Sequence, residues 1–75
     1  METYQNQAGN SGAVGYEFTD DGIKVMFRDK AVYLYTEESA GAESIREMKK
    51  LAVAGKGLTG YINRNVRKRY ARKIA

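Results

Sequence analysis

The chain of 75 residues contains neither cysteine nor histidine. Without cysteine there are no disulfides, no thiolate nucleophiles and no cysteine-ligated metal sites. Without histidine, zinc and the common acid–base pairs lose the side chain that they use most often. The composition therefore predicts a protein that is not an enzyme, has no catalytic or metal-binding residues and needs no cofactor.

Long apolar runs are also missing, since no stretch approaches the roughly 20 residues that cross a bilayer. The first ten residues are polar and include Glu2, unlike the basic start and apolar stretch of a secretory signal. The lack of cysteine also fits a reducing compartment. We therefore expect a cytoplasmic protein with no membrane partner.

Positive charge is concentrated at the C-terminus. The formal net charge of the chain is +4, yet residues 61–75 carry +6 and the rest of the chain carries −2. The six basic residues of this segment, which has no acidic residue, are Arg64, Arg67, Lys68, Arg69, Arg72 and Lys73. A local basic patch of this kind favours an anionic partner.

The hydrophobic pattern predicts one domain over residues 12–75, preceded by a flexible N-terminal tail over the polar residues 1–11. Apolar residues alternate with others over residues 13–18, 23–28 and 31–36, as in half-buried strands. Turn residues separate these segments at 19–22 and at Asp29-Lys30. The simple interpretation is a three-stranded antiparallel meander.

Strand register follows if Asp29 and Lys30 form a two-residue hairpin loop, which would set Phe27 opposite Val32. A four-residue first turn would likewise set Phe18 opposite Ile23. The resulting apolar face, expected to be the core, contains Val14, Tyr16, Phe18, Val25, Phe27, Val32 and Leu34. The opposite face, expected to be open to water, contains Ala13, Gly15, Glu17, Lys24, Met26, Arg28, Tyr33 and Tyr35.

Two helices are predicted after the strands. The first begins near Ser39, has apolar residues at helical spacing and ends at Gly55 or Gly57. The second begins near Leu58, and its apolar stripe extends to Tyr70. The predicted fold is therefore α+β, with a three-stranded antiparallel meander packed on one face by two C-terminal helices.

Three segments together resemble the KTSC domain, a short bacterial domain named for its occurrence at the C-terminus of some lysyl-tRNA synthetases. They are Ile23-x-Val25-x-Phe27, Tyr33-Leu34-Tyr35, and Gly60-Tyr61-Ile62-Asn63-Arg64-Asn65-Val66-Arg67 with Tyr70 close behind. The resemblance covers about residues 12–70. That family usually has a glycine in the hairpin where Asp29-Lys30 stands here. The family has no established activity, and the resemblance implies only the RNA binding that has been suggested for it.

A tyrosine pair is the first candidate site. On an open sheet face, Tyr33 and Tyr35 would lie beside Lys24 and Arg28, where bases can stack on the rings and phosphates can meet the cations. The alternative is that the tyrosines pack across strands or are covered by the N-terminal segment.

Basic side chains form two further candidates. Arg64, Arg67 and Lys68 share one predicted helix face, extended by Arg72, and such a face can follow phosphates or simply be solvated. Lys56 lies among glycines that can present backbone amides to an anion, although the same glycines can serve to end a helix.

These features lead to two functional hypotheses. The first is a binding domain for RNA or other nucleic acid that uses the basic helix and the tyrosine face. The alternative is a protein-interaction module, whose open sheet face would bind another subunit or an acidic protein. The salt dependence of binding distinguishes the two hypotheses, because phosphate binding weakens steeply as the salt concentration rises and apolar association does not.

Overall fold

The computed structural model describes residues 1–5 and 12–75, which form an α+β fold with an antiparallel sheet. The strands follow in chain order as β1 (Glu2–Thr3), β2 (Ala13–Thr19), β3 (Gly22–Phe27), β4 (Val32–Thr36) and β5 (Arg72–Lys73). The helices are α1 (Glu37–Ala40), α2 (Ala42–Ala54) and α3 (Leu58–Tyr61), which continues as a π-helix over Ile62–Val66. The α+β class is confirmed, but the described sheet has five strands rather than three.

The N-terminal edge of the sheet is β1, where Glu2 pairs with Tyr16 of β2. Tyr4 follows β1 and is only 3 % exposed. Its hydroxyl accepts a hydrogen bond from the backbone N–H of Leu58 at 3.1 Å. Residues 2–4 therefore belong to the folded domain, contrary to the predicted tail. The rest of that predicted tail, residues 6–11, lies outside the described residues.

The hairpin between β3 and β4 has a three-residue loop, not the predicted two-residue loop. The N–H of Phe27 donates to the carbonyl of Ala31 at 2.9 Å, which leaves residues 28–30 as the loop. Lys30 adopts φ 71°, a left-handed conformation typical of the last residue in such loops. The Asp29 carboxylate supports the turn by accepting the Ala31 N–H at 3.0 Å.

This longer loop shifts the β4 register by one residue, so Val25 pairs with Tyr33 and Met26 with Val32. A one-residue shift moves every side chain of a strand to the other face. The prediction of Tyr33 and Tyr35 on an open face is therefore wrong. Val32 and Leu34 point to the opposite face from the one predicted, although Val32 is buried there. The β2–β3 register was predicted correctly near the turn, where Phe18 pairs with Ile23.

The core lies between the sheet and helix α2. Ile45, Met48 and Ala52 are spaced so that they share one helix face, and all three are buried. They pack with Ile23 and Val25 of β3, which have no exposed surface. No helix among the described residues combines the length and the apolar character needed to cross a membrane.

The second predicted helix is shorter than expected, because its π-helical part ends at Val66. Arg67 follows with φ 40° and ψ −107°, which turns the chain back toward the sheet. β5 then pairs with β4, placing Arg72 opposite Leu34. Arg64, Arg67, Lys68 and Arg72 therefore do not share one helix face, contrary to the prediction.

Candidate nucleic-acid interface

A groove of about 540 Å³ lies between the β3–β4 hairpin and the segment that follows the π-helix. This volume falls within the range of sites that bind small molecules. Four aromatic residues line it, namely Phe27, Tyr33, Tyr35 and Tyr70. Three cationic residues line it as well, namely Arg28, Arg67 and Lys68.

The aromatic residues form one connected cluster. The ring centroids of Tyr33 and Tyr70 are 4.6 Å apart, and those of Phe27 and Tyr33 are 5.8 Å apart. Tyr35 meets Tyr70 edge-on at 6.2 Å. All three distances lie in the attractive range for aromatic pairs. The cluster therefore attaches the C-terminal segment to β4 while forming the apolar part of the groove.

Tyr35 is at the base of this cluster and is only 2 % exposed. Its hydroxyl donates a long hydrogen bond of 3.5 Å to the backbone carbonyl of Arg67. Burial, and to a smaller extent the neighbouring Tyr33 and Tyr70, raise the pKa of Tyr35 to about 12. Tyr35 is thus a neutral supporting residue, whereas the half-buried rings of Tyr33 and Tyr70 are within reach of a ligand.

Positive charge borders both sides of the groove. Arg28 extends from the hairpin on one side, and Arg67 and Lys68 lie on the other, all of them exposed. Lys73 adds a fourth cation, with its Nζ 5.9 Å from the centre of the Tyr33 ring. Among the described residues that line the groove, Asp29 is the one acid. The groove therefore favours an anionic ligand with flat or apolar parts.

Arg67 is held at the groove by an unusual backbone. Its N–H donates to the carbonyl of Ile62 at 2.6 Å, the five-residue spacing of a π-helix. Its φ of 40° with ψ of −107° is a conformation that residues with a side chain rarely adopt. Such strain costs on the order of 1–3 kcal/mol and is concentrated at functional sites, as are π-helical turns.

The structure brings some of the predicted site residues together and separates others. Five of them, Arg28, Tyr33, Tyr35, Arg67 and Lys68, line the groove. The other four are Lys24, Lys56, Arg64 and Arg72, and they lie elsewhere.

Each of these four residues has a different position. Lys24 is on the outer face of the sheet, with its Nζ 3.6 Å from the Glu17 carboxylate. Lys56 is exposed between α2 and α3, and Arg72 is exposed on β5. Arg64 is exposed on the π-helix, with its guanidinium close to Gly60.

Two groove residues with aromatic rings were not predicted as site residues. Phe27 was assigned to the core and Tyr70 to a helix stripe, because both fit the apolar periodicity there. Tyr70 did carry a usable signal, since it is the one aromatic residue within the run of basic residues at 67–73. The contact of Tyr70 with β4 depends on β5, and hydrophobic alternation does not predict that strand.

No group of three or more acidic side chains able to hold a metal ion occurs within residues 1–5 and 12–75. No family model, curated protein or solved structure matches this chain.

Proposed function

We propose that this chain is a small, non-enzymatic domain that binds single-stranded nucleic acid, with RNA as the expected ligand. The observation that carries the proposal is the groove, where accessible Tyr33 and Tyr70 rings lie between Arg28 on one side and Arg67 and Lys68 on the other. Bases stack on aromatic rings with little regard to sequence, and flanking cations neutralise the phosphates. The resemblance to a domain attached to tRNA synthetases agrees with this function.

A single strand fits the groove better than a duplex. The rings of Tyr33 and Tyr70 are half-buried, so a base must leave its stack to reach them. Unpaired bases can do so at low cost, whereas a duplex would offer only its phosphates to the cations. We therefore expect single strands to bind more tightly than duplexes of the same sequence.

Fluorescence anisotropy with a short labelled RNA, single-stranded or annealed, tests the proposal over a series of salt concentrations. If about three phosphates are neutralised, log affinity should fall against log salt with a slope near −2. Replacing Arg67 and Lys68 together by Ala should flatten this slope. The matched control replaces Arg46 and Lys50 of α2, which are exposed and lie outside the groove.

Absence of RNA binding below about 100 μM at low salt would contradict the proposal, because even non-specific nucleic-acid binding is usually tighter than that. Equal losses from the groove pair and the α2 pair would also contradict it. Equal losses would mean that RNA is attracted to the positive surface of the protein as a whole rather than to the groove.

An acidic protein is the competing ligand for the same cations. A carboxylate-rich peptide needs Arg67 and Lys68 but gains little from the rings of Tyr33 and Tyr70. Changing Tyr33 alone to Leu, a smaller apolar side chain without a ring, should therefore weaken RNA binding and leave the binding of a glutamate-rich peptide nearly unchanged. Unchanged RNA binding in this variant would favour the acidic protein.

A further inference from the structure

The sheet face that points away from the helices carries a row of four side chains, one from each of β2 to β5. Glu17 pairs with Lys24, Lys24 with Leu34, and Leu34 with Arg72. Glu17 at the β2 end is the one acid of this row, and its carboxylate lies 3.6 Å from the Lys24 Nζ and 3.8 Å from the N-terminal ammonium of Met1. Arg72 lies at the opposite, β5 end of the row. At a strand spacing of ~4.8 Å, these ends are roughly 14 Å apart.

A second row beside it is apolar. Met26 pairs with Val32, and the side chains of Met1 and Met26 meet above Gly15. Ile74 continues this apolar region at the β5 edge, where its N–H donates to the carbonyl of Val32 at 2.7 Å. Met1 and Ile74 keep 55 % and 43 % of their surface exposed. The described helices pack against the opposite face, so these apolar side chains have no helix over them.

We infer that this outer face binds a second copy of the same chain. A two-fold axis parallel to the strands exchanges the β2 and β5 ends of the row. Glu17 of each copy then faces Arg72 of the other, so that two intermolecular ion pairs form. An arrangement in which each patch meets itself is the usual form of a homodimer interface.

The centre of the row suits the same arrangement. Lys24 would lie opposite Leu34 of the second copy, where its aliphatic stem covers the leucine while its charge stays beside Glu17. In the neighbouring row, the exposed side chain of Met1, which lies over Gly15, would meet the exposed Ile74 of the second copy. The opposite charges at the two ends of the row favour a second copy over an unrelated partner, because they are complementary to themselves.

The size of the face indicates a weak dimer. Strands β2, β3 and β4 have seven, six and five residues and β5 has two, which together form a face of roughly 300 Å². Pairing two such faces buries less surface than a stable interface usually does. We therefore expect reversible association, with the two grooves facing outward on opposite sides of the pair. This inference does not depend on what the groove binds.

Sedimentation velocity of the full chain without nucleic acid tests this dimer, at low salt and from roughly 10 μM to 1 mM, a range chosen for a weak interface. The average mass should rise from 8.4 kDa toward twice that value with concentration. Either Glu17→Lys or Arg72→Glu alone should keep the chain monomeric. Both changes together should restore the dimer, because the ion pairs form again with their charges exchanged.

Arg46→Glu on α2 is the matched control and should leave the association unchanged. Circular dichroism identifies any variant that fails to fold, and the double variant distinguishes a charge effect from damage to the sheet. A mass of 8.4 kDa at every concentration would overturn the inference. So would single variants that associate as the parent chain does, or a double variant that stays monomeric.

Discussion

The Tyr33 ring lies 4.6 Å from the ring of Tyr70, and this contact joins strand β4 to the segment that follows the π-helix. The two tyrosines therefore have both a structural and a binding role. They attach the C-terminal segment to the sheet, and they present the accessible aromatic surface of the groove. Substitutions at Tyr70 therefore test the two roles together.

Tyr70→Ala should weaken both the fold and RNA binding. The substitution removes the ring that contacts Tyr33 and Tyr35. We expect a loss of about 0.5–1.5 kcal/mol of stability for each aromatic contact and of about 1–3 kcal/mol of binding free energy for a stacked base. Tyr70→Phe keeps the ring and should preserve both. Urea unfolding and anisotropy measure the two effects, and a Phe variant as impaired as the Ala variant would exclude stacking.

Arg67→Gly should stabilise the fold while weakening binding. Glycine adopts the observed φ of 40° without the steric cost that a side chain imposes. Relief of strain is worth on the order of 1–3 kcal/mol, although the more flexible unfolded chain offsets up to about 1 kcal/mol. The net expectation is a small rise in the melting temperature together with weaker RNA binding.

Arg67→Ala is the control for this prediction, because it removes the charge and keeps the positive φ. Its melting temperature should stay at or below that of the parent chain, and its loss of RNA affinity should match that of the glycine variant. A glycine variant less stable than the alanine variant would contradict the strained backbone at this position.

Tyr4→Phe should destabilise the domain although it leaves the ring in place. The substitution removes the acceptor of the buried Leu58 N–H. An unsatisfied buried donor costs about 1–3 kcal/mol. Urea unfolding at neutral pH measures this loss, and Glu2→Gln on the exposed strand β1 is the control. Unchanged stability of Tyr4→Phe would mean that the N-terminal segment is not anchored through this hydroxyl.

The sequence predicted elements whose patterns are local. The alternation in β2 and β3 determines their mutual register at Phe18 and Ile23. The spacing of Ile45, Met48 and Ala52 predicts the buried face of α2. These patterns are decisive because polar residues separate the apolar ones.

The β4 register was not determined in this way, because Tyr33 and Tyr35 are as able to face a core as Val32 and Leu34. Hydrophobic alternation in β4 then fits with either pair of residues facing the core, and the length of the β3–β4 loop decides which pair does so. Lys30 in a left-handed conformation allows the three-residue loop, but a lysine gives no signal for it. The same limit applies to β5, whose Arg72 and Lys73 have no apolar alternation.

The candidate site was consequently predicted in its residue types but not in its arrangement. Tyrosines and cations were expected on an open sheet face and on a separate helix. The shift of β4 instead turned the tyrosines toward the helices, and the return of the chain after Arg67 brought the cations to them. Tyr70 completes the groove through a long-range contact that no local pattern encodes.

The raised pKa of Tyr35 predicts a loss of stability above pH 10. A tyrosine in the unfolded chain has the ordinary pKa of 10.0, whereas burial raises the pKa of Tyr35 in the folded domain to about 12. Between these values the unfolded chain releases a proton that the folded chain keeps. The free energy of unfolding therefore falls as pH rises through this window, by up to about 2–3 kcal/mol at its upper end.

Tyr35→Phe isolates the contribution of this hydroxyl from that of the other ionisable groups of the chain. The variant should be nearly as stable as the parent chain at pH 7, because the hydroxyl makes only a long hydrogen bond of 3.5 Å. Urea unfolding of both proteins from pH 8 to pH 12 should show a smaller loss for the variant. Absorbance at 295 nm should show one tyrosine of the parent chain ionising only near its unfolding transition. Equal losses of stability in both proteins would mean that Tyr35 is open to water, and the groove would then lack its buried support.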